Sequence, residues 1–260
     1  MENGVARGRR WTREETLAAF NLYARTPFGR LHARNPEILH VARRLGRTPG
    51  SVAMKCCNLA ALDPALRSRG IKGLRGISDL DRQVWEEFHR YPERIGYESE
   101  IVFAEIMQQQ PRMAQEDEPI VVVAGTDREM VRRVRVTQHL FRGMILSSYK
   151  ERCAICTLPA RELLVASHIV GWALDEANRM NPHNGICLCS LHDRAFDAGM
   201  IDVDERYQVH ITSLCRVDRD HQVAREMLYR FDGMSLTLPE RWLPDPFLFA
   251  RRRELLAMCS

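Results

Sequence analysis

Three short stretches decide how this chain reads: CAIC at 153–156, ASHI at 166–169 and NGICLCSLHDRAFD at 184–197. Cys153 and Cys156 form a CxxC pair, and beyond residues 157–188 Cys189 and His192 form a CxxH pair. The two pairs supply the four soft donors that a structural, tetrahedral Zn2+ site takes. Cys187 adjoins them, but strand alternation sends 187 and 189 to one face and only Cys189 has the spacing to His192. The other four of the eight cysteines, Cys56, Cys57, Cys215 and Cys259, lack such partners and read as core or surface thiols. Between the half-sites, 162–169 reads as a strand ending in the polar pair Ser167 and His168. Residues 185–189 read as a second strand and 190–198 as a helix.

Strand, long loop, strand and helix, with a His closing the first strand, an Asn opening the second and ligands on the helix, resembles the HNH, or ββα-metal, endonuclease family. The similarity extends to the subfamily found in many bacterial restriction-type nucleases. It is carried by QHLFR at 138–142, SSYKERCAIC at 147–156, ELLVASHIVGW at 162–172, NPHNGICLC at 181–189 and HDRAFDAGMI at 192–201. The resemblance implies roles that phosphodiester cleavage needs. His168 matches the base, a neutral imidazole with an ordinary pKa near ~6.5. Asn184 matches the residue that ties down the loop and orients the base. Asp193 stands where many relatives have the last His, and its carboxylate suits a catalytic Mg2+ or Mn2+. Many relatives have Asp before the base His; here that position is Ser167, a poorer ligand, which leaves Asp193 with Asp197 as a second carboxylate one turn on. Asp197 alternatively holds the loop at Gly199. Consecutive helix positions diverge by about 100°, so His192 can serve zinc while Asp193 serves the catalytic ion. His183, beside Asn184, receives no role.

The N-terminal third is basic. Residues 1–75 hold 15 Lys or Arg against 5 Asp or Glu, whereas the whole chain carries only +4, and such a segment favours a polyanion. Thr12 with Glu15 makes a capping box ahead of Leu17, Phe20 and Ala24. Asn35 and Pro36 open a second helix that Gly46 stops; Thr48 and Pro49 open a third, ended by Asp63 and Pro64. This helix-turn-helix pattern places Ser51, Lys55 and Asn58 for a major groove, with Arg43, Arg44 and Arg47 on phosphates. The opening RRWTREE also resembles the start of a Myb-type three-helix unit.

A fourth helix is expected after Ser78 and another over 98–108. A strand is expected at 120–124, and a basic and apolar region at 130–149 ends in a helix. The polar, acidic QQQPRMAQEDEP at 108–119 reads as a linker between a helical domain at 1–107 and a nuclease domain at 120–260. The expected class is α+β, an all-α N-terminal domain followed by a ββα-metal domain with structural zinc. No stretch reaches the roughly 20 apolar residues of a membrane span, and the start lacks a signal-peptide core, so the chain reads as cytoplasmic. The function expected is metal-dependent endonuclease action on duplex DNA in restriction or defence. Cutting both strands would require a homodimer or two successive nicks. Two alternatives stand beside it: a zinc-stapled DNA-binding regulator with an inactive centre, and an HNH nuclease acting on RNA or single strands.

Overall fold

The ends of the N-terminal helices are fixed by the side chains that cap them. Glu15 N donates to Thr12 Oγ1 at 3.2 Å while Thr12 N donates to Glu15 Oε2 at 3.1 Å, which starts α1 (Arg13–Arg25). Asn35 caps α2 (Pro36–Leu45), and Gly46, at φ 60°, ends it in the left-handed conformation that glycine adopts without strain. Thr48 caps α3 (Pro49–Ala60), Asp63 caps α4 (Pro64–Ser68), and a Ser78–Asp81 capping box opens α5 (Asp79–Arg90). The starts of α1, α2, α3 and α5 match those read from the sequence, whereas Asp63 and Pro64, expected to end the third helix, open α4 instead, α3 having stopped at Ala60. The next helix, α6 (Pro92–Met107), begins earlier than the expected 98, because Pro92 starts it behind Tyr91 with no polar cap to mark it.

The computed structural model describes residues 9–70, 77–114 and 128–259, so the strand expected at 120–124 lies outside the described residues, as do 115–119 of the expected linker. It divides into two compact units, 1–148 and 149–260. The division therefore falls after Ser148, and α7 (Arg128–Ser148) belongs with the helices rather than with the C-terminal unit. Its Ser147 hydroxyl donates to the Ala24 carbonyl at 3.1 Å, and Gly143 lets it approach α1: a Cβ there would sit 3.1 Å from that of Arg25. The core of this unit surrounds α1, of which residues 15–24 are all buried, and includes Phe20 and Phe88 with ring centroids 4.8 Å apart.

Three of the six side chains expected at a DNA surface are internal. Arg47 donates to Glu15 Oε2 at 2.6 Å and to the Arg9 and Arg10 carbonyls; Lys55 meets Asp81 at 2.5 Å; both lie over the Trp11 ring; and Asn58 is buried beside them on α3. The acidic partners are the same Glu15 and Asp81 that close the capping boxes. Arg44 is turned to the C-terminal end of α6, donating to the Met107 carbonyl and Gln108 Oε1. Arg43 is exposed and Ser51 half-buried, so α3 shows solvent Ser51, Met54 and Cys57 but no charge.

The C-terminal unit is a small α+β structure. Antiparallel β1 (Leu164–His168) and β2 (Gly185–Cys189) pair Leu164 with Cys189 and His168 with Gly185, and α8 (Ser190–Asp197) follows directly. A second hairpin joins β3 (Ile201–Val203) to β4 (Val209–Ile211), and α9 (Gln222–Met227) and α10 (Pro246–Cys259) complete the unit. No helix among the described residues is long and apolar enough to cross a membrane.

Because Lys55 neutralises a buried carboxylate, Lys55→Ala is expected to destabilise the protein by about 3 kcal/mol or more. A denaturant titration checks this: an unchanged midpoint would contradict the buried pairing.

Candidate active site and metal centre

The CxxC turn and the start of α8 converge. The turn is closed by Cys153 N donating to the Leu158 carbonyl at 3.1 Å and Thr157 N donating to the Cys153 carbonyl at 2.9 Å. Cys153 Sγ then lies 3.5 Å and Cys189 Sγ 3.2 Å from His192 Nδ1, with Cys156 Sγ 3.9 Å from Cys189 Sγ. All four donor atoms fall within 4.8 Å of one another. A tetrahedral ion with Zn–S of about 2.3 Å and Zn–N of about 2.0 Å has S···S edges of about 3.8 Å and S···N edges of about 3.5 Å. The cluster has that size. Cys187 stays outside it, paired across the ladder with Ala166. His192 Nε2 donates to the Met227 carbonyl at 2.9 Å, which puts the imidazole lone pair on Nδ1, toward the thiols. The hydrogen bond between Cys153 and Cys189 pushes the Cys153 thiol up and pulls Cys189 down, so the pair shares one proton.

One residue further along α8, Asp193 is half-buried and stands outside this cluster. Burial, and then the neighbouring Asp197, push its carboxyl up to about 6, while the Ser167 hydroxyl opposes the shift. Ser167 is buried on β1, and its Oγ meets no partner at hydrogen-bond geometry among the described residues. The Ser167 hydroxyl is thus the polar group that acts on this half-buried carboxylate from β1. Asp197, one turn on, makes no hydrogen bond to the loop at Gly199 among the described residues, and burial raises its carboxyl as well.

His168 closes β1, next in sequence to Ser167. Its Nε2 donates to the Arg179 carbonyl at 3.0 Å and its ring meets the edge of Trp172, with centroids 5.5 Å apart. The proton on Nε2 leaves the lone pair on Nδ1. Burial lowers the imidazole to about 4 despite the carbonyl, so the ring is neutral at any pH near 7. Asn184 is fully buried. Its Oδ1 accepts from Val170 N at 2.8 Å, and its Nδ2 donates to the carbonyls of Val170 at 3.0 Å and Asn178 at 3.2 Å. Since Ile169 N also donates to the Asn184 carbonyl, one residue fastens both ends of the loop that carries Arg179. His183 faces the Leu243 carbonyl and the Trp242 ring, away from this group.

Of the residues read from the sequence, the fold brings Cys153, Cys156, Cys189 and His192 together, while His168 and Asn184 engage the loop that runs between β1 and β2. The sequence reading missed Arg252 of α10, which is buried against the end of β1 and α8. A signal existed: with Leu248 and Phe249 it falls on the apolar face of its helix, where a charge is out of place.

Residues 153–204 match the HNH endonuclease family. The match begins at the CxxC pair and spans β1, β2, α8 and β3. No curated protein matches the chain.

The cluster predicts one equivalent of zinc in purified protein, measurable by elemental analysis, and loss of the C-terminal unit's folded signal in Cys153→Ser, since structural zinc contributes on the order of 10 kcal/mol. A zinc-free, folded preparation would refute it.

Proposed function

We propose that this chain is a metal-dependent endonuclease that hydrolyses phosphodiester bonds in duplex DNA, serving restriction or defence. The observation that carries the reading is the hydrogen bond from His168 Nε2 to the Arg179 carbonyl, which fixes the tautomer of a neutral imidazole with its lone pair on Nδ1, at the end of the strand that also carries Ser167. His168 takes the proton of the attacking water at Nδ1, and the imidazolium that results keeps the Arg179 carbonyl as its hydrogen-bond acceptor. Asn184 holds the base loop at Val170 and Asn178, so the imidazole approaches water from a fixed direction. Asp193, with Asp197 one turn on, would hold Mg2+ or Mn2+, which would supply stabilisation of the charge that builds on the phosphate and the departing 3′-oxygen. Cys153, Cys156, Cys189 and His192 would hold zinc with four protein donors, the set of a structural site.

The helical unit is proposed to bring DNA to this centre. Of the side chains first assigned to that task, Arg43 and Ser51 remain at the surface and Arg44 is partly engaged, whereas Arg47, Lys55 and Asn58 support the fold. Phosphate contact therefore falls to the arginines outside α3. A second reading, a zinc-stapled DNA-binding regulator, is favoured by Ser167, whose hydroxyl stands where relatives carry a carboxylate ligand.

Plasmid nicking with Mg2+ separates the two, and parallel assays on single strands and RNA define the substrate. His168→Ala should lower the rate by roughly 10² to 10⁴ while zinc content and DNA affinity hold, and Asn184→Ala should lose most activity. Unaltered cleavage by His168→Ala would defeat the assignment. Apparent Mg2+ affinity should fall as pH drops through about 6, where Asp193 takes up a proton and ceases to be an anionic ligand.

A further inference from the structure

Three consecutive arginines on α10 have different surroundings. Arg251 reaches Asp175 at 3.7 Å and Arg253 reaches Glu205 at 2.6 Å and Asp202 at 3.4 Å, all as surface pairs. Arg252 between them is buried. Its Nη1 donates to the Ile169 carbonyl at 3.1 Å, its Nη2 donates to the Phe196 carbonyl, and its guanidinium carbon lies 3.8 Å from the centre of the Phe196 ring. Ile169 directly follows His168. Phe196 lies between Asp193 and Asp197 on α8. One planar group therefore bridges the end of the strand that carries the candidate base and the helix that carries the candidate metal ligands.

Burying a guanidinium is costly, and Nε is left with no hydrogen-bond partner among the described residues. An apolar side chain of similar volume would pack the same space at lower cost if packing were the whole task. A fork with two donors in one rigid plane is what spans two carbonyls on separate elements; an ammonium is a point charge without that geometry. The positive charge also acts on Asp197, Asp202 and Asp193.

We propose that Arg252 is a positioning residue of the nuclease centre, a buried fork that fixes the spacing between the His168 end of β1 and the Asp193–Asp197 face of α8. It does so from a helix outside the family-matched segment at 153–204. The inference rests on the nuclease reading above.

Full-length R252K and R252M test it. Both variants should retain zinc and a cooperative melt, and both should lose roughly 10- to 100-fold in kcat for plasmid nicking with KM unchanged, because small misplacements of reacting groups are expensive. In DNA-free protein at pH 8, Mn2+ binding read by electron paramagnetic resonance should be several-fold tighter in R252M and unchanged in R252K, since only methionine removes the charge beside the carboxylates. Slower turnover with tighter ion binding is a combination that general loosening does not give. The inference is overturned if both variants turn over within about twofold of wild type, if both lose zinc or the melt, or if R252M binds Mn2+ more weakly. A wild-type protein that cuts none of the substrates defeats the nuclease reading instead, and the Mn2+ measurement then decides whether Arg252 governs the carboxylates.

Discussion

On α8, His192 and Asp193 are neighbours in sequence and therefore point about 100° apart. The organisation of the C-terminal unit depends on that divergence. Cys189 closes β2 immediately before the helix begins, so the register of β1 on β2 determines where the helix starts and which side each residue faces. One side meets the CxxC turn; the other meets Ser167 and the end of β1. A slip of one residue in the ladder would exchange the strand faces. The hydrogen bond from His192 Nε2 to the Met227 carbonyl and that from Arg252 to the Phe196 carbonyl both restrain the helix.

Local chemistry was legible in the sequence where the signal is local. Capping residues such as Thr12, Asn35, Thr48 and Ser78 mark helix starts because the hydrogen bonds they make lie within three residues. The CxxC and CxxH spacings could be read because a turn and a first helical turn fix where the donors fall. The start of α6 was not legible, since Tyr91 offers no polar cap. Nor was the domain boundary: α7 joins the helices through the Ala24 carbonyl and the surface beside Arg25, contacts far from it in sequence.

Charge was the least faithful guide. A net basic segment suggests a basic surface, but Arg47 and Lys55 are neutralised by Glu15 and Asp81, carboxylates 32 and 26 positions away. Composition counts such cations fully, whereas the fold has already used them. Their role is to hold Trp11 and the start of α1 against α3. Arg252 illustrates the same point from the other side: it counts as one more cation in the composition, yet it is buried, with the apolar Leu248 and Phe249 on the same face of its helix.

Asn184 has a consequence for how this site would age. Its carbonyl and amide are committed to Val170 and Asn178, and its backbone carbonyl to Ile169, so aspartate would remove a donor and glutamine would not fit the same short span. The demand comes from the shape of the loop and exists whether or not any bond is cut. In a lineage that abandoned hydrolysis, His168 and Asp193 would be at liberty to drift while Asn184 and the four cluster ligands stayed. Persistence of the asparagine would therefore be a record of architecture, whereas the imidazole and the carboxylate answer only to the proposed chemistry.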